Sequence, residues 1–63
     1  MKVFHIGDRV KLSEELLRYS ANKRWIGKRG TVVASDGGYP VVQWDHMEKP
    51  IRQPYEYIEL AIF

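Results

Sequence analysis

The sequence contains no cysteine. Disulfide staples are therefore excluded, and so are the common zinc-finger ligand sets. No apolar run approaches the ~20 residues that cross a bilayer as a helix, and no basic-then-apolar leader opens the chain. The expectation is a soluble, cytoplasmic protein with no membrane partner. Histidine is scarce: His5 and His46 lie far apart and show no ligand spacing, so no metal is expected. No glycine-rich segment joins a strand to a long helix, so a phosphate-cradling loop is not expected, and no cofactor is implied. Length is lacking too. The 63 residues leave room for one domain, spanning 1–63. A chain of this size buries only ~60% of the surface that its unfolded form exposes. Without disulfides, the core or a partner has to supply the stability.

Acid is missing from one long stretch. Residues 16–35 carry Arg18, Lys23, Arg24, Lys28 and Arg29 and no carboxylate, a net charge of +5. Residues 1–15 balance to zero, with Lys2, Arg9 and Lys11 against Asp8, Glu14 and Glu15. Residues 36–63 hold Lys49 and Arg52 against Asp36, Asp45, Glu48, Glu56 and Glu59, a net charge of −3. The modest total of +2 thus hides a basic middle and an acidic end. Such a dipole can orient a partner even where the total cannot. What remains is globular in composition, at 44% hydrophobic and 29% charged.

Gly7-Asp8 is a turn signal, and Arg9-Val10-Lys11-Leu12 alternates charged and apolar residues as a half-buried strand does. Val10 and Leu12 are expected to face the core. Val3, Phe4 and Ile6 suggest a short lead-in strand. Ser13 is placed as an N-cap, with Glu14 and Glu15 complementing the dipole of one or two helical turns through Tyr19. One of Leu16 and Leu17 is expected to be buried. Residues 20–29 show no clean period and suggest a loop with one aromatic anchor. Gly30 to Ser35 and Val41 to Asp45 are strands, joined as a hairpin by Asp36-Gly37-Gly38-Tyr39-Pro40. The Val42/Trp44 face is assigned to the core, because it carries the larger side chain and buries no carboxylate. Gly30 is expected to serve the backbone conformation at the strand start, and Gly37-Gly38 to supply positive φ in the turn. His46 to Pro54 is a polar loop. Tyr55 to Leu60 recovers alternation, with Ile58 and Leu60 inward and a 3-10 turn at 54–57. These elements predict an all-β domain: a small, five-stranded, partly open barrel with one short helix or 3-10 turn in the first long loop. Closure also removes sheet edges that a small domain cannot leave open.

Gly7-Asp8-Arg9-Val10-Lys11-Leu12, Gly27 to Val33, Val41 to Asp45 and Ile58-Glu59-Leu60 together resemble the SH3-like barrel superfamily. The first half resembles the KOW motif of ribosomal proteins and transcription elongation factors. There a G-D-x-V strand leads to a K-G-K-x-G-x-V turn and strand, and Trp25 to Val32 is similar to that turn. Ser13 to Asn22 are extra residues between the two parts. Tyr39-Pro40-Val41-Val42 and Glu59-Leu60 resemble the PsaE-type subunits of photosynthetic complexes. Gly30 to Val33 and Val42 to Asp45 resemble the MIB/HERC-type small barrels. These families share the barrel and differ in partner, so the resemblance implies a fold more than a function.

The basic stretch interleaves its cations with Tyr19 and Trp25. Arg18, Lys23, Arg24, Lys28 and Arg29 are candidates for phosphate contact, with Tyr19 or Trp25 stacking on a base. The structural alternative is a solvated loop with Trp25 plugging the barrel end. Tyr55 and Tyr57, flanking Glu56, form a second candidate surface, with cross-strand packing as their other explanation. Catalysis is not expected. Asp45 and His46 occupy adjacent positions and cannot aim at one point. Type II dihydrofolate reductases share G-D-R-V, here Gly7 to Val10. Their V-Q-I-Y strand has no counterpart, since Pro54 interrupts Arg52-Gln53-Pro54-Tyr55. The expected function is non-enzymatic binding, with nucleic acid or a ribonucleoprotein as first partner. The rival is a docking module or accessory subunit meeting an acidic protein surface. The apolar ends, Val3-Phe4 and Leu60 to Phe63, either pair with each other or add to a second copy, so monomer and homodimer both stay open.

Overall fold

The computed structural model describes residues 3–61. Five strands form one antiparallel sheet: β1 (Arg9–Leu12), β2 (Gly30–Asp36), β3 (Tyr39–Trp44), β4 (Ile51–Arg52) and β5 (Ile58–Leu60). Their spatial order is β4-β3-β2-β1-β5. The sheet curls around a core of Val10, Val32, Val42, Trp44 and Ile58, each at most 2% exposed. This is the small, five-stranded, partly open barrel that the sequence predicts. Its edge strands β4 and β5 are only two and three residues long, which leaves little edge to template another chain.

The register explains how the core assembles. Val10 of β1 lies between Gly30 of β2 and Leu60 of β5, and Gly30 in turn lies opposite Trp44 of β3. Four strands thus share one row that includes a residue with no side chain. A Cβ on Gly30 would stand 2.6 Å from Val42 Cγ1 and 3.0 Å from Trp44 Cε3. Close approach, not an unusual φ, is therefore what requires glycine here, which corrects the backbone role assigned to it from sequence. Gly37 and Gly38 do have positive φ, 58° and 87°, and form the two-residue hairpin turn between β2 and β3. The strands run closer to the turn than the five-residue link of the sequence reading, because Asp36 and Tyr39 already pair. β2 carries an irregularity between Val32 and Ala34, which leaves Val33 outward and 42% exposed. Such a bulge bends and twists a strand, as closure of a small barrel needs.

Several expectations are corrected. Residues 3–6 form no strand; Phe4 still packs against the core, and the neighbouring Gly7 N–H and Asp8 carbonyl both bond Val32. Ser13 is the N-cap of α1 (Glu14–Leu17), its hydroxyl accepting from the Leu16 N–H at 3.4 Å. Leu16 and Leu17 are both only half-buried, because one helical turn lying against the barrel rim cannot cover either completely. Residues 20–25 are not a loop but a six-residue 3-10 helix (Ser20–Trp25). β4 lies within the expected 46–54 loop, too short to show any alternation. Ile58 is buried as expected, but Leu60 is 47% exposed, since it ends the edge strand β5 and has no strand on its outer side. Tyr55–Tyr57 form a second 3-10 helix, so the two tyrosines do not share a face as strand parity implied. A backbone bond from Ala61 N–H to the Arg9 carbonyl joins the end of β5 to β1. The rest of the terminal pairing proposed for Ile62 and Phe63 lies outside the described residues.

Gly30→Ala is expected to lower unfolding free energy by about 1–3 kcal/mol, the cost of forcing a methyl into a packed row. Urea denaturation followed by tryptophan fluorescence measures it. An unchanged midpoint would show that the Trp44 indole can move aside.

Candidate functional site

The long connection between β1 and β2 carries the basic stretch, and its local structure decides where each charge goes. In a 3-10 helix residues three apart eclipse one another. Asn22 and Trp25 share one such row, and both are half-buried. The Asn22 side-chain amide donates to the Leu16 carbonyl at 2.9 Å, tying the helix back to α1. Trp25 meets Trp44 edge-on, ring centroids 5.0 Å apart, and His46 at 5.2 Å. With that row turned inward, Lys23 and Arg24 on the other two rows are exposed. Trp25 is therefore the anchor that plugs this end of the barrel. The aromatic ring left outside is Tyr19, 62% exposed.

Lys49 aside, the described cations fall into two groups. Those on strands are paired. Arg9 forks onto Asp45, with nitrogen–oxygen distances of 2.9 and 2.6 Å, and also reaches the Thr31 hydroxyl. Lys11 Nζ lies 2.9 Å from Glu14 and 3.6 Å from Glu59. Arg52 lies 3.6 Å from Asp36 and stacks over the Tyr39 ring. Those on the connection are not. Among the described residues, Arg18, Lys23, Arg24, Lys28 and Arg29 have no carboxylate oxygen within 4.0 Å. Arg29 donates to the neighbouring Lys28 carbonyl at 3.1 Å. The turn that follows the 3-10 helix places Gly27 at φ 82°, in the left-handed region where glycine is unstrained.

Two of the surface recesses border the candidate residues. One, of about 360 Å³, is lined by Leu17, Arg18, Ile26 and Arg29, together with Lys11 and Glu14. It brings Arg18 and Arg29 together with an apolar pair that the sequence reading did not single out. The available signal was Ile26, an isolated aliphatic residue beside Gly27 amid basic neighbours. The other, of about 300 Å³, joins Phe4, Ile6, Pro40 and Tyr55. Tyr57 is not among its lining residues and is 48% exposed.

The electrostatics follow the pairing. The Arg9 guanidinium holds the Asp45 carboxyl below the usual carboxylate range, and Asp45 in turn raises Arg9. Hydrogen bonding from Lys11 lowers the Glu14 carboxyl, aided by the charges of Arg18 and Arg29. Among the described residues no three His, Asp or Glu side chains gather as a metal site, and no helix is long and apolar enough to cross a membrane. No protein-family model, curated protein or solved structure matches the chain.

The Arg9–Asp45 pair makes acid sensitivity testable. A carboxyl with a depressed folded-state pKa contributes stability above its unfolded value of ~3.9, and loses it as pH falls through the lower folded value. Both partners are about half exposed, so screening keeps the effect small. Asp45→Asn is expected to flatten the acid limb of stability against pH, read from urea midpoints between about pH 2 and 7. An acid limb as steep as in the parent protein would refute this assignment.

Proposed function

We propose that this protein is a non-enzymatic binding module whose connection of residues 18–29 contacts the phosphate backbone of nucleic acid, alone or within a ribonucleoprotein. One observation carries the reading: the strand cations are each neutralised by a carboxylate, whereas the five cations of the connection are not. Arg and Lys side chains without a carboxylate partner suit phosphate contact, which rests on charge and releases counterions. Exposed Tyr19 beside Arg18 adds an aromatic face. The resemblance of Trp25 to Val32 to the KOW turn supports the same class of partner. Little in this arrangement supports reading base sequence, so weak specificity is part of the proposal.

The apolar recess at Phe4, Pro40 and Tyr55 favours a second reading, a docking face for a protein of which this chain is a small accessory subunit. An acidic protein surface meeting the basic connection belongs to the same reading. One stoichiometric protein partner, captured from the native host and retained after nuclease treatment, would establish it.

Labelled single-stranded RNA and duplex DNA titrated at about 50 and 200 mM salt test the first reading. Full engagement of the connection gives a log–log salt slope of about −3.5 to −4.5, at ~0.7–0.9 per phosphate. Reversing the charges of Lys23, Arg24, Lys28 and Arg29 together is expected to abolish binding. Absence of binding at the lower salt, or binding that survives the reversal, would refute the site.

A further inference from the structure

We propose that the recess between α1 and the Ile26–Gly27 turn receives one nucleotide of a single strand, so that the basic connection selects single-stranded over duplex nucleic acid. The inference rests on the nucleic-acid reading above and deepens it.

Its basis is a juxtaposition of charge and apolar surface. Arg18 and Arg29 line the recess together with half-buried Leu17 and with Ile26, which is 61% exposed. Lys11, Glu14 and Gly27 complete the lining. Glu14 is already the anion of this field: Lys11 binds it at 2.9 Å, and Arg18 and Arg29 both favour its charged form. Lys11 is taken up by Glu14 and by Glu59 at 3.6 Å, whereas Arg18 and Arg29 have no carboxylate oxygen within 4.0 Å among the described residues, so the recess keeps capacity for a second anion. A phosphodiester is such an anion, and it arrives joined to a base.

The apolar side chains then decide between strand types. A duplex keeps its bases stacked inside and offers mainly phosphates to a short basic segment. Exposed Lys23, Arg24 and Lys28 could meet those phosphates, but Leu17 and Ile26 would gain nothing. A single strand can turn a base outward against aliphatic or aromatic surface while its phosphate meets Arg18 or Arg29. The recess, at about 360 Å³, has small-molecule dimensions. That size suits a single base, which a duplex keeps stacked inside. Tyr19, adjacent to Arg18 and 62% exposed, offers a stacking face for a neighbouring base.

The experiment compares three probes of about equal phosphate number: a labelled oligonucleotide of about ten uridines or thymidines, a duplex, and inorganic polyphosphate. The single strand is expected to bind at least about tenfold tighter than the other two, since one base contact is worth that much. Ile26→Ser and Tyr19→Ala should each reduce single-strand affinity severalfold and leave polyphosphate affinity and the salt slope unchanged. Both side chains are more than half exposed, so the variants keep the fold, which circular dichroism verifies. Glu14→Gln should tighten binding of all three probes by removing the competing carboxylate. Equal affinity for the three probes, or indifference of single-strand binding to both apolar substitutions, would overturn strand selection while leaving the phosphate-binding reading intact. Failure of every probe to bind would overturn both.

Discussion

The Trp44 indole is the group around which the barrel is built. It is fully buried, and removing a ring of that size from water is worth about 4–6 kcal/mol. Its N–H finds no acceptor among the described residues, a loss of about 1–3 kcal/mol. Area therefore outweighs the unmet hydrogen bond. The ring must still have somewhere to lie, and Gly30 supplies that space by having no side chain. In a chain of 63 residues without cysteine, one well-seated indole over a bare backbone replaces the covalent staples that many domains of this size use.

The same indole organises the basic connection. Trp25 covers it edge-on at 5.0 Å, and that contact fixes which row of the short 3-10 helix faces inward. Once Trp25 and Asn22 are committed to the barrel, Lys23 and Arg24 have no position except solvent. Packing thus presents the charge. A flexible loop of the same composition would scatter its cations and lose entropy on binding. Here the helix, held by the Asn22 amide on the Leu16 carbonyl, has part of that ordering already in place.

The barrel was legible because its signals are local. Arg9 to Leu12 and Val41 to Trp44 alternate, and Gly37-Gly38 announces its turn, so strands, core face and hairpin could all be placed from residues a few positions apart. The Val42/Trp44 assignment followed from side-chain size and charge alone. What escaped depends on distant partners. The two residues of β4 pair only because β3 lies beside them. Gly30 signalled a strand start, whereas its reason is the Trp44 ring across the sheet. Residues 20–25 looked irregular because a 3-10 row of Asn22 and Trp25 matches neither the α-helical nor the strand period. At the site, the excess of cations was visible in composition. Their division into paired and unpaired groups was not, since it depends on carboxylates such as Asp45 that lie far along the chain. Leu17 and Ile26 escaped for the same reason: nothing local brings α1 to the turn before Gly30.

The magnitude of the charge repulsion explains how a domain of marginal stability can carry the cluster. Two exposed like charges ~10 Å apart in water repel by only about 0.4 kcal/mol, and physiological salt screens most of that. Pairing each connection cation with a carboxylate would return at most about 1 kcal/mol at the surface. The fold thus loses little by leaving them unpaired. Against a polyanion the balance reverses, because each phosphate contact releases condensed counterions and the contributions add along the strand. Strand cations such as Arg9 and Lys11 sit where the turn after β3, helix α1 and strand β5 supply Asp45, Glu14 and Glu59, and their charge is consumed within the molecule. The connection lies where the sheet supplies none. That difference turns a nearly neutral chain into one with a single strongly positive end.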